Sequence, residues 1–252
     1  MRRAPALLGA VLAAAALGAC GQPAASNSSS TLTTAPSPAA SPTAVALAPE
    51  LGVSASVTPA EAMARPWADP LTVPLLGGGT RTLANCGDFF AVSKTVSDAI
   101  AERDEQVLLG QAVRCEALKA VMDGHPAAKS FLAGWTLDAA GWATAPPAFD
   151  FQVSPDGEDE IKRDTASGGS AADLEKVTIT PKDAFHDEVA GSGWTAEFTV
   201  LARGLDVTGD GVEDLIISRN AAVTDGTLRS ITYFVVTRLE PTGSLRVVRS
   251  FP

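Results

Sequence analysis

Between positions 206 and 214 the chain reads D-V-T-G-D-G-V-E-D, which puts side-chain oxygens at Asp206, Thr208, Asp210 and Asp214, with Gly211 free to make the bend. Alternate side chains of a tight loop converge. Together with one backbone carbonyl they can supply the kind of oxygen cluster that a hard cation such as Ca²⁺ requires, with about six to eight ligands in a flexible geometry. A cation held this way is expected to serve structure rather than catalysis. The thiols are the second chemically capable set: three cysteines occur, Cys20, Cys86 and Cys115. The two histidines offer less. His125 sits in a Gly-His-Pro turn, and His186 precedes Asp187 and Glu188 without the second histidine of a zinc-binding helix. No nucleophile elbow, phosphate loop or dinucleotide glycine fingerprint is present. An enzyme is not expected on these signals, although a pair of facing carboxylates could hydrolyse a glycoside, and spacing alone does not say which acids face each other.

The D-x-T-x-D-G-x-x-D loop leads straight into an apolar run at 215–218 and resembles the calcium loop of integrin-type FG-GAP repeats. That resemblance implies side-chain ligands at Asp206, Thr208, Asp210 and Asp214 and a carbonyl ligand at Val212. The loop departs from an EF-hand, whose bidentate glutamate would fall where Ile217 stands, and Thr208 replaces the usual Asn or Asp. One copy is present, so a propeller is not implied. At the other end of the chain, Arg2 and Arg3 precede an Ala/Leu-rich stretch, and Leu17, Gly18, Ala19 and Cys20 match the lipobox of bacterial lipoproteins. The apolar run is shorter than the roughly 20 residues of a membrane-spanning helix, as suits a cleaved leader. The family implies removal of residues 1–19 and diacylglycerol on the Cys20 thiol, with the lipid bilayer as the first partner. It also implies a place on the outer membrane, facing the periplasm, if the cell is Gram-negative, because Gly21 is not the aspartate that retains lipoproteins inside.

With Cys20 lipidated, Cys86 and Cys115 form an even pair in an oxidising compartment, and a disulfide between them is expected. The alternatives, a redox pair or metal thiolates, lack C-x-x-C spacing. The formal net charge is −10, and loss of Arg2 and Arg3 with the leader makes it about −12. Such acidity disfavours nucleic acid and anionic lipid as partners. It leaves the acyl group as the link to the membrane.

These groups must be positioned by a folded body. Residues 20–60 are rich in Ser, Thr, Ala and Pro and read as a disordered tether, with order beginning near Trp67. Strands at 72–76 and 80–83 around Gly77, Gly78 and Gly79 predict a hairpin. Phe89, Val92, Val96 and Ile100, then Leu108, Cys115, Leu118 and Met122, keep helical spacing, with a join at Arg103 and Asp104 and a stop at Gly124 and Pro126. A third short helix is predicted over 127–132. The acidic stretch 154–173 reads as a mobile loop, followed by a strand at 177–180 and a short helix capped by Thr180, Pro181 and Asp183 that carries Phe185 and Val189. Strands at 195–203, 214–219, 228–238 and 245–250 with short connections predict an antiparallel meander. The tryptophans that follow Gly134, Gly141 and Gly193 are expected in the core.

The sum is an α+β protein: a disordered tether, a disulfide-stapled helical half over 61–153, and an antiparallel β-meander over 154–252 with one calcium-type loop. The overall pattern is similar to envelope lipoproteins of high-GC bacteria. A membrane-anchored extracytoplasmic role in binding an envelope protein or assisting it is the expectation. A periplasmic inhibitor of a lysozyme-like hydrolase and a carboxylate-dependent hydrolase are the alternatives.

Overall fold

The computed structural model describes residues 44–152 and 154–251. Cys20, the leader and residues 20–43 of the expected tether lie outside them. The elements are β1 (Ala46–Leu47), α1 (Pro59–Ala64), β2 (Leu71–Pro74), β3 (Thr80–Leu83), α2 (Cys86–Val92), α3 (Glu102–Asp123), β4 (His125–Pro126), α4 (Ala139–Trp142), α5 (Pro155–Ser167) and α6 (Ala171–Leu174). They continue with β5 (Thr178–Pro181), β6 (His186–Ala190), β7 (Trp194–Asp206), β8 (Asp214–Val223), β9 (Arg229–Thr237) and β10 (Arg246–Phe251), with 3-10 turns at Pro49–Leu51 and Pro147–Phe149.

An antiparallel sheet in the order β10-β9-β8-β7-β6-β5 organises this body. The meander is as the short connections predict, with β6 added. β7 is long enough to take three neighbours on one edge: β6 along Thr195–Thr199, β1 at Ala202 and Arg203, and β4 at Leu205 and Asp206. The central strands β8 and β9 are apolar on both faces. Leu215 and Ile217 of β8 and Phe234 and Val236 of β9 join one core cluster, while Ile216, Tyr233 and Val235 join the other. A strand buried on both sides reads as a continuous apolar run. Both faces therefore need cover.

One face is covered by α1, α2, α3, the β2–β3 hairpin and the chain around Leu51, and the other by residues 132–151, Ala171 and Leu245. The stretch 61–153 thus splits across the two faces of one sheet. The expected boundary at 153/154 does not separate two cores. The disulfide joins Cys86, the first residue of α2, to Cys115 in the middle of α3, with Cα atoms 5.3 Å apart and both residues fully buried. The tryptophans Trp67, Trp135, Trp142 and Trp194 are all buried.

Five local expectations are corrected. The last part of the expected tether, 44–60, is structured: Ala48 and Leu51 are fully buried, Ala48 N–H bonds the Leu201 carbonyl at 2.9 Å, and Thr58 and Glu61 make a capping box on α1. Its low charge fits burial as well as disorder. The predicted acidic loop contains α5, started by Ser154 accepting from Gly157 N–H at 3.1 Å and stopped by left-handed Gly168, with Asp156 and Glu158 in the first turn where the helix dipole favours them. The helix predicted after Thr180 is the turn between β5 and β6. Asp183 there accepts from Phe185 and His186 N–H at 2.8 and 3.0 Å, and Pro181 lies on an edge strand, where a missing N–H is tolerated. Finally, α2 ends at Val92, Val96 bridges to Leu75, residues 93–101 make the join, and 127–132 hold no helix because Lys129 bridges to Val212. Tertiary pairing overrides the helical spacing in both places.

Candidate functional site

The sheet presents the predicted cation loop as the connection between β7 and β8, so Asp206 ends one strand and Asp214 opens the next. Gly209 and Gly211 adopt φ of +82° and +80°, a left-handed backbone that a side chain would strain. The loop curls around the Asp206 carboxylate. Its Oδ1 accepts from Gly209 N–H at 2.6 Å, Asp210 N–H at 3.2 Å and the Thr208 hydroxyl at 3.4 Å, and its Oδ2 accepts from Gly211 N–H at 2.7 Å. Burial alone would raise the Asp206 carboxyl, but the Gly211, Gly209 and Asp210 donors outweigh it and hold the group below the usual carboxylate range.

The other predicted ligands share the loop. Asp210 Oδ1 accepts from Val212 N–H at 2.8 Å, and Val212 is buried against Lys129. Asp214 is fully buried, and its Oδ2 accepts from Val207 and Thr208 N–H at 2.8 and 3.0 Å. Its Oδ1 is sealed from solvent, with the Thr237 hydroxyl alongside but outside hydrogen-bond geometry. Burial pushes the Asp214 carboxyl up against those donors. The donor types suit a hard cation. The arrangement itself is a turn closed by its own N–H groups, and among the described residues no three acidic, histidine or cysteine side chains form a metal-holding group.

Three charged residues escaped the sequence reading. Glu213, fully buried beside the loop, accepts from Gly204 N–H at 3.0 Å and faces Arg203 Nε at 3.9 Å. Arg219 of β8 is buried between Phe151 and Phe234, its guanidinium carbon 5.5 Å from each ring centre. Its Nη1 donates to the carbonyls of Ala148 at 2.9 Å, Phe149 at 3.2 Å and Asp150, so it caps the 3-10 turn that covers the sheet. Burial pulls its pKa down to about 10, against the charge of Asp150. Arg219 and the buried Asp150 form part of the wall of an open cleft of about 520 Å³, with Gln152, Glu158, Ser230 and Thr232. Their signal in the sequence is faint: a single arginine, Arg219, just past the apolar run Leu215, Ile216 and Ile217.

The histidines fall apart. His125 is exposed in β4, whereas His186, expected on a surface helix, opens β6 between Asp183 and Glu50. Compared with protein-family models, with curated proteins and with solved structures, the chain matches none.

Proposed function

We propose that this chain is a membrane-anchored lipoprotein that works outside the cytoplasm, with a folded body that binds or assists an envelope partner. The observation that carries the reading is the Cys86–Cys115 bridge. It accounts for two of the three cysteines and leaves Cys20, at the lipobox, for the acyl chains. A disulfide closed inside a buried core also suits an oxidising compartment. From Cys20 to Ala44 the chain can reach at most roughly 80 Å, enough to let the body meet partners away from the bilayer. Cys20→Ser should release the protein from the membrane fraction or leave the precursor uncut. A mature, lipid-bearing Cys20→Ser protein still in the membrane fraction overturns the proposal.

The same reading gives the β7–β8 loop a structural calcium ion, favoured by the buried Oδ1 of Asp214, which makes no hydrogen bond. Asp206, Thr208, Asp210, Asp214 and the Val212 carbonyl would hold it, and the loop N–H groups would orient the carboxylates from behind. Calcium at one hundred times its dissociation constant should add about 2.7 kcal/mol, and Asp210→Ala should remove most of that gain. Magnesium should help less, since it gives up its waters reluctantly. A melting temperature indifferent to millimolar calcium and to chelator leaves the loop a capped turn.

A further inference from the structure

The imidazole of His186 lies between two carboxylates from distant parts of the chain. Nδ1 is 2.8 Å from Asp183 Oδ1, in the turn before β6, and Nε2 is 3.1 Å from Glu50 Oε1, in the 3-10 turn of the N-terminal arm. A neutral imidazole carries one N–H and can donate to only one of them, leaving a ring lone pair facing the other carboxylate. An imidazolium donates to both. We propose that His186 is a pH-dependent latch that fastens the N-terminal arm, residues 44–58, to the sheet, closed while the ring holds both protons and loosened once it gives one up.

The surroundings favour the charged ring. Asp183 faces it from the turn, Glu50 from the arm, and Glu197 from β7, while Asp187 follows it on its own strand. The nearby cations are engaged elsewhere: Lys182 pairs with Glu188 at 2.6 Å, and Arg114 of α3 donates to the carbonyls of Glu50 and Leu51 at 3.1 and 3.2 Å. Burial pushes the His186 ring down, but the Asp183 bond and the charges of Glu50, Asp183 and Glu197 raise it on balance above its ordinary 6.5. A raised value places the sign: the latch is fully closed below about pH 6.5 and is lost as the pH climbs through the folded-state value. The Asp183 carboxyl is held low, by the Phe185 N–H first, so its own contact with the ring persists in acid until the pH falls through that depressed value.

The latch acts on local opening of the arm, because Ala48 and Leu51 stay anchored in the core by burial. Its readout is the amide of Ala48, bonded to the Leu201 carbonyl. In hydrogen exchange on the intact folded protein, corrected for intrinsic base catalysis, Ala48 protection should fall about two- to fivefold relative to the core amide of Val235 between pH 6 and pH 8.5, the range expected for exposed ion pairs. Glu50→Gln and His186→Gln should each flatten that dependence, and about 0.5 M salt should weaken it. A flat wild-type profile, or a Glu50→Gln profile identical to wild type, overturns the latch.

Discussion

Replacing Asp206 by alanine tests whether its carboxylate closes the β7–β8 loop. Three N–H donors, from Gly209, Asp210 and Gly211, lose their acceptor together. Hydrogen bonds to a charged group contribute about 1.5 to 3 kcal/mol each when sealed from water, which would set a ceiling well above what this loop loses. Gly209 and Asp210 are exposed, so water can replace their bonds, whereas Gly211 is half-buried and Asp206 itself is 8 % exposed. The expected loss is about 2 to 3 kcal/mol, a fall of about 5 to 10 °C in melting temperature for a body of this size. Asp206→Asn keeps one acceptor oxygen without the charge and should recover about half. Because the folded-state value of Asp206 is depressed, its contribution is present above the ordinary carboxylate range and disappears as the pH falls through that lower value. The difference between wild type and Asp206→Ala should therefore shrink in acid. Urea unfolding followed by tryptophan fluorescence, with the disulfide intact and a chelator present, measures all three variants across pH. A loss below about 0.5 kcal/mol at pH 7, in the range of an ordinary surface substitution, would refute the claim that this carboxylate organises the loop.

Two further substitutions probe the frame that holds it. Cys86→Ala and Cys115→Ala, made in a Cys20→Ser background, should each cost about 3 to 4 kcal/mol, since either opens the same 29-residue span. The oxidised parent should show no titratable thiol until it is reduced, and unequal losses or two free thiols in folded protein would contradict the bridge. Arg219→Met should lower stability by about 3 kcal/mol by leaving the carbonyls of Ala148, Phe149 and Asp150 without their buried donor. A chemical-denaturation midpoint unchanged from wild type would mean that the 3-10 turn packs without it.

Much of this body was legible before folding because the signals were local. Gly77, Gly78 and Gly79 between two β-rich tetrads announce a hairpin, and all three take positive φ there. The apolar runs in β8 and β9 announce strands. Residue types and spacing also singled out the 206–214 loop, although not that its aspartates would accept from backbone N–H groups. The misreadings have two causes, one tertiary and one local. Helical spacing at Val96 and at 127–132 was overruled by pairing with Leu75 and Val212, partners remote in the chain. The acidic stretch was judged by composition, while its cap residues, Ser154 and Gly168, carried the correct signal for α5.

Residue types and short spacings were enough to mark the Leu17-Gly18-Ala19 run before Cys20, to pair Cys86 with Cys115, and to place the meander and the one loop rich in oxygen ligands. Each of these depends on a residue's own chemistry or on neighbours a few positions away. Tertiary structure alone decided that residues 44–60 join the body, that both faces of the sheet are covered, and that Arg219 is sealed between two phenylalanines. It also brought Glu50 to His186 across more than half the described chain. Burial and long-range pairing are properties of the assembled sheet: β7 takes β6, β1 and β4 on one edge only because each finds an unpaired stretch of that strand, and no local pattern records which segment will fill it.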